Sequence, residues 1–175
     1  DYVRDGFLPE TLLNFIASLG WNDGTEQEIF SKEELVKKFS LERVQRAGAH
    51  FDERRLIWMN GHYIRELSLD NLFDKVAEFW PDEAKDYDED YKKETLGLVQ
   101  ERLKFFAELP ELTSFFFRDL PLDPKLISEH KQLKKLAQTD LKHLLEQANA
   151  SLEASDFTTD DLTKRLNDLL QATDQ

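Results

Sequence analysis

FDERRLIWMNGHYIRE, residues 51–66, is the stretch whose reading decides the fold. At about 100° per residue it sorts into two faces. Leu56, Met59 and Tyr63, with Leu67 just beyond, fall on one side and read as core. Arg54, Trp58, Gly61 and Arg65 fall on the other, with His62 at its edge. That second face joins two guanidinium groups, a large aromatic and a residue without a side chain. Guanidinium suits bidentate phosphate contacts, and a glycine lets a bulky ligand approach the backbone. The alternative is an ordinary solvated face on which Asn60-Gly61 ends the helix.

Working outward, the neighbouring segments are helical too. Leu8-Pro9-Glu10 reads as a helix start, because proline is tolerated in the first turn and an acid favours the positive end. Leu12, Phe15, Ile16 and Leu19 follow at helical spacing, and Gly20 is a plausible stop. Asn22-Asp23-Gly24 reads as a turn. Ser31 with Glu34 fits a capping box ahead of Leu35, Val36 and Phe39. Ser40 opens a short helix holding Leu41 and Val44, Ala47-Gly48-Ala49 reads as a loop, and Asp52 is a good N-cap for the central helix. Ser68–Phe79 is predicted as a further helix, and PDEAKDYDED (81–90) as a solvated acidic connector.

Tyr91–Leu109 is the longest periodic stretch, with Tyr91, Thr95, Leu98, Phe105, Phe106 and Leu109 as its apolar stripe. Arg102 sits inside that stripe. A buried charge is costly unless paired, so periodicity alone leaves an ion pair, or an aliphatic stem whose head reaches water, as explanations. Beyond Pro110, Phe115-Phe116-Phe117 reads as inter-helix core. Leu126–Leu136 carries Lys131, Lys134 and Lys135 on a solvated face, and Thr139–Leu152 and Thr158–Leu170 are amphipathic helices, the second opened by TTDD. No useful stretch alternates with the period of a strand, so the class is all-α.

The 175 residues carry 23 Lys plus Arg against 36 Asp plus Glu, a net charge of −13. Such acidity argues against non-specific nucleic-acid binding, since the phosphates are repelled. Residues 41–65 are the exception: Arg43, Arg46, Arg54, Arg55 and Arg65 outnumber Glu42, Asp52 and Glu53. A polyanion would be met there. Cysteine is absent, which excludes disulfides and thiolate metal sites. No apolar run approaches the roughly 20 residues of a membrane helix, and the start, DYVRDGF, reads as a cut end rather than a leader. No P-loop, GxGxxG or HExxH pattern occurs. The four histidines (50, 62, 130 and 143) are scattered without a nucleophile beside them. No catalytic or metal-binding residue is expected.

FDERRLIWMNGHYIREL strongly resembles the tRNA-stem-contact region of bacterial glutamyl-tRNA synthetases, which are class I synthetases. GFLPETLLNFIASLGW (6–21) and EIFSKEELVKKFSLERV (28–44) resemble the same region in the same order. The resemblance implies a stem-contact helical domain over 1–68 followed by an α-helical anticodon-binding cage, with subdomains at 69–120 and 121–175, the second expected to be incomplete because the family usually continues. It implies glutamate tRNA as partner, a cytoplasmic monomer, and a whole enzyme that uses ATP and magnesium. The HIGH-type and KMSKS-type signatures of that chemistry do not occur here, so the chain alone is expected to be the inactive, C-terminal, tRNA-binding part.

Residues carry over unevenly. LVQERLKFFAELPE (98–111) is similar to the family segment whose arginine reads the third anticodon base, which implies that role for Arg102. The chemistry fits: arginine only donates, cytosine offers O2 and N3 as acceptors, and guanine turns N1–H and N2–H toward the same place. Glutamate anticodons end in C and glutamine anticodons in G. Arg43, Arg54, Arg55 and Arg65 are mapped by region and charge as tRNA-backbone contacts, with Trp58 and Gly61 packed on the same face. The competing expectation is an acidic helical protein–protein adaptor that binds no RNA.

Overall fold

A computed structural model describes residues 1–45, 48, 50–119, 121, 123–131 and 133–173. Arg46, and the loop expected through Ala47 and Ala49, lie outside the described residues. The described chain is helical, with no strand. Its α-helices are α1 (Pro9–Ser18), α2 (Lys32–Lys38), α3 (Glu53–Glu66), α4 (Leu69–Lys75), α5 (Glu89–Val99), α6 (Leu109–Phe117), α7 (Lys125–Ser128), α8 (Gln138–Glu153) and α9 (Thr159–Thr173). They fall into two compact units, residues 1–120 and 121–175.

Local signals start most of the helices of the first unit. Proline stands at the first turn of α1. Ser31 and Glu34 form the reciprocal capping box of α2. The Asp52 carboxylate accepts from the Arg54 and Arg55 N–H groups at 3.0 and 3.2 Å, closing the open end of α3. Ser68 caps α4, which ends at Lys75 rather than Phe79. Ser40 precedes only a 3-10 turn, Leu41–Arg43, without a side-chain cap bond.

α3 is the axis of this unit. Leu56 and Met59 pack with Phe7 and Phe15, while Ile64 joins Leu8, Leu72, Val76, Leu96, Val99, Leu103, Phe106 and Leu109. Each fully buried aliphatic contributes on the order of 1.5–3 kcal/mol. The second of these clusters runs across position 68, so the segments on either side of it share a core. The interior face of α3 is wider than its pattern predicts, because Asn60 and Gly61 are buried as well. The helix passes through Asn60-Gly61 without ending there.

The expected helix over 91–109 is interrupted. α5 stops at Val99, Gln100–Arg102 makes a 3-10 turn, Leu103–Phe105 runs extended, and a second 3-10 turn leads into α6. The buried face of α5 is Thr95, Leu96 and Val99, while Tyr91 and Leu98 are exposed. The break lets the following apolar residues reach different neighbours. Leu103 and Phe106 enter the main cluster, and Phe105 stacks on Phe7 with centroids 5.4 Å apart. Gly6 makes this possible. Its φ is +81°, and an added Cβ would lie 2.4 Å from that of Phe106. Of the three adjacent phenylalanines, Phe117 is buried and Phe115 is exposed. Ile16, Val36 and Phe39, expected inside, instead line an open apolar groove of about 500 Å³ with Leu13 and Val44.

In the second unit, the 126–136 stretch holds α7 and a 3-10 turn at Leu133–Lys135. Arg165 ties α9 to the end of α8. It pairs with Asp161 at 2.6 Å and donates to the Ala154 carbonyl at 2.6 Å, satisfying one of the orphan carbonyls of α8. The Thr158 hydroxyl caps α9 by accepting from the Asp161 N–H. No side chain of this unit is fully buried among the described residues.

Candidate nucleic-acid interface

The outer face of α3 and the 100–104 segment meet. Arg54, Trp58, Gly61 and Arg65 line a shallow depression of about 400 Å³ with Ile57 and Lys104. Arg65 and Lys104 also line an adjoining one of about 430 Å³, together with Glu101, Arg102, Glu108, Glu111 and Leu112. Two groups of residues that lie some forty positions apart in sequence thus form one continuous surface on the first unit.

The buried Asn60, the half-buried Gln100 and one glycine build it, while the buried Asn14 holds the 28–30 segment beside Tyr63. The Asn60 Oδ1 accepts from the Leu8 N–H at 2.9 Å and its Nδ2 donates to the Lys104 carbonyl at 2.6 Å. That side chain pins the start of α1 and the residue-104 backbone to the middle of α3. Gln100 Nε2 donates to the Ile64 and Leu67 carbonyls at 3.0 and 2.9 Å, capping the end of α3 and placing the turn that carries Arg102. Asn14 accepts from the Phe30 N–H at 2.6 Å. The Tyr63 hydroxyl lies 2.7 Å from Asn14 Oδ1 and 2.6 Å from the Phe30 carbonyl, and can donate to one at a time. Burial pushes the Tyr63 phenol up to about 12. Gly61 faces the extended 103–104 backbone: a Cβ there would sit 3.6 Å from both the Leu103 carbonyl oxygen and the Lys104 Cα, an ordinary contact distance.

Among the described residues, none of Arg54, Arg65, Arg102 and Lys104 forms an ion pair, although they cluster on two adjoining depressions. Some cations elsewhere are engaged, among them Lys38 with Asp23, Lys93 with Asp70 and Arg118 with Glu83, each at 2.9 Å. Arg102 is exposed on its turn, so neither explanation drawn from a continuous helical stripe applies to it. Trp58 is exposed beside Arg54 and Arg65.

Arg43 and Arg55 lie elsewhere. Arg43 donates through Nη1 to the Asp23 carbonyl and holds the 22–25 turn. Arg55 projects about 100° round α3 from Arg54, into a separate depression with Glu28 3.7 Å away, and leaves its Nε buried without an acceptor among the described residues. Sequence reasoning missed Lys104, Asn60 and Gln100. The continuous-helix reading of 91–109 hid Lys104 and Gln100, and Asn60 carries no local sign of partners 52 and 44 residues away.

Residues 71–175 match the family model described as the anticodon binding domain. The chain belongs to that anticodon-binding family. Residues 1–58 match a second model, that of the class I tRNA synthetases (E and Q), catalytic domain. A glutamate–tRNA ligase of Clostridium novyi is 42% identical over 174 residues, covering 97% of this chain and 34% of the relative. One of Dehalococcoides mccartyi is 38% identical over 160 residues, covering 88% and 32%. The crystal structure of a glutamate tRNA ligase from Elizabethkingia meningosepticum, in complex with its amino acid, superposes with a TM-score of 0.73 at 25% identity, covering 98% of this chain and 33% of that one. The chain therefore spans about a third of the length of the curated relatives it matches. Its anticodon-binding family is all-α here, as the sequence pattern implies.

Proposed function

We propose that this chain is the tRNA-binding part of a glutamate–tRNA ligase, a cytoplasmic monomer that grips the stem of glutamate tRNA and reads its anticodon. The observation that carries this reading is the set of unpaired cations, Arg54, Arg65, Arg102 and Lys104, on two adjoining depressions of a chain whose net charge is −13. Free guanidinium and ammonium groups in an otherwise acidic surface suit a shaped polyanion, met locally. Arg54, Arg65 and Lys104 hold phosphates and position the tRNA. Arg102 reads the third anticodon base, favouring cytosine over guanine by about 1–3 kcal/mol. Arg43 and Arg55 contribute positive field from the neighbouring side of α3 while holding their own loops. Residues 1–68 serve as the stem-contact region and 69–120 with 121–175 as the anticodon cage. ATP and magnesium belong to the aminoacylation that the whole ligase performs, and no residue of this chain is assigned to them.

The apolar groove at Leu13, Ile16, Val36, Phe39 and Val44 favours a protein-docking reading as well. That groove gives no reason for the unpaired arginines, and the two readings separate in one experiment. Glutamate and glutamine tRNA are titrated with this chain at two salt concentrations, beside Arg102→Ala and Arg65→Ala. The expected result is a preference for glutamate tRNA that Arg102→Ala removes, with Arg65→Ala weakening both tRNAs and lowering the salt slope by roughly 1. No binding of either tRNA at low salt overturns the proposal.

A further inference from the structure

The depression at the end of α3 gathers six charged side chains: Arg65, Arg102 and Lys104 with Glu101, Glu108 and Glu111. Opposite charges this close ordinarily pair. Among the described residues none of the six pairs with another. A concavity that keeps donors and acceptors both free is complementary to a ligand edge that carries both. Arg65 and Lys104, which also border the neighbouring depression, can take a phosphate there, whereas the three carboxylates suit a group that donates. The Watson–Crick edge of a base offers donors and acceptors side by side.

One of the three carboxylates is fixed in place. The Lys104 backbone N–H donates to Glu108 Oε2 at 2.8 Å, which leaves Oε1 uncommitted. Glu108 is also half-buried, whereas Glu101 and Glu111 are exposed and have no such tie. Because Asn60 holds the carbonyl of Lys104 while Glu108 holds its N–H, the carboxylate is oriented by the backbone that separates it from Arg102.

We propose that Glu108 is a specificity-determining residue of this site, accepting from the exocyclic amine of a cytosine whose O2 and N3 face Arg102. The inference rests on the anticodon-reading function proposed above and divides its labour. Arg102 rejects guanine, which would oppose donors with donors. Glu108 rejects uracil, whose O4 stands where cytosine has its amine and would face a carboxylate. Uracil keeps the O2 acceptor but turns N3–H toward Arg102, so Arg102 disfavours it at one atom and Glu108 adds the repulsion at O4.

The test is binding of three glutamate tRNA transcripts, with C, U or G as the third anticodon base, to the wild-type chain and to Glu108→Gln, Glu101→Gln and Glu111→Gln. The wild type is expected to prefer C over U by about 10-fold or more. Glu108→Gln should lower that ratio by about 3-fold or more, chiefly by a gain for U, because the glutamine amide donates to O4. A loss of folding cannot produce a gain. Glu101→Gln and Glu111→Gln should keep the wild-type ratio. If the wild type prefers C over G yet Glu108→Gln leaves C over U unchanged, or if Glu101→Gln or Glu111→Gln collapses it, the assignment of Glu108 is overturned while tRNA reading stands. If the wild type binds none of the transcripts, both fall.

Discussion

Replacing Asn60 by alanine removes a side chain that ties three segments of the first unit together. Two hydrogen bonds are lost, from the Leu8 N–H at 2.9 Å and to the Lys104 carbonyl at 2.6 Å. Leu8 is almost fully buried, so its N–H is left without a partner, at about 1–3 kcal/mol. Lys104 is exposed and water can reach its carbonyl, so the second loss is nearer the net value of an ordinary hydrogen bond, about 1 kcal/mol. The sum is roughly 2–4 kcal/mol, a large part of the stability of a unit this size. Urea unfolding followed by tryptophan fluorescence measures it directly, because Trp21, Trp58 and Trp80 all lie in residues 1–120. With a slope of about 2 kcal/mol per molar, the midpoint should fall by roughly 1–2 M. Asn60→Asp isolates the second bond. It keeps an acceptor for Leu8 and turns an oxygen toward the Lys104 carbonyl, so tRNA binding should weaken with it. A midpoint within about 0.2 M of the wild type for Asn60→Ala, on the same slope, would refute the argument that this amide organises the surface.

Three further outcomes are expected. Gly61→Ala should stabilise the unit by about 0.5–1 kcal/mol, since the new Cβ meets only the mobile end of Arg65, 3.2 Å away, at less than ordinary contact distance; tRNA binding should fall as Arg65 shifts, and a large drop in melting temperature would contradict the space seen there. Asp23, held down to about 2 by hydrogen bonds from Thr25 and Lys38, favours its charged form in the fold. Its contribution is therefore complete above the usual carboxylate range near pH 4 and is lost as pH falls toward 2; Asp23→Asn should flatten the unfolding midpoint across that window, and an unchanged profile would count against the network. Tyr63, pushed up to about 12, favours its neutral form. Its contribution is complete below the ordinary phenol value of about 10 and disappears as pH rises toward 12, and Tyr63→Phe should shift the late part of the absorbance titration of the tyrosines.

Where the chain begins several of its helices is written in short-range chemistry, and there the pattern is legible in the sequence. The Ser31–Glu34 box, Asp52 and Ser68 satisfy N–H groups two or three residues away, so composition alone exposes them. The core side of α3 follows from its period, and the all-α class follows from the absence of alternation. Reading failed where neighbours outside the helix set the outcome. Ile16 and Val36 share the spacing of core residues but face an open groove, because burial depends on whether another element covers them. The 91–109 stripe looked continuous, yet the chain breaks at 99–105 because Leu103, Phe105 and Phe106 gain more by reaching Leu8, Phe7 and α4 than a straight helix would allow.

The sequence by itself determined the helices, their caps, and which residue types stand at 54, 58, 61, 65 and 102. Only the tertiary structure decided that Arg65 and Arg102 share a depression, that Lys104 and Glu108 stand beside them, and that Arg43 and Arg55 are engaged elsewhere. The physical reason is range. A cap or an apolar period acts over one or two turns, whereas the surface depends on Asn60 and Gln100, whose hydrogen bonds bridge 33 to 52 residues and have no counterpart in local pattern.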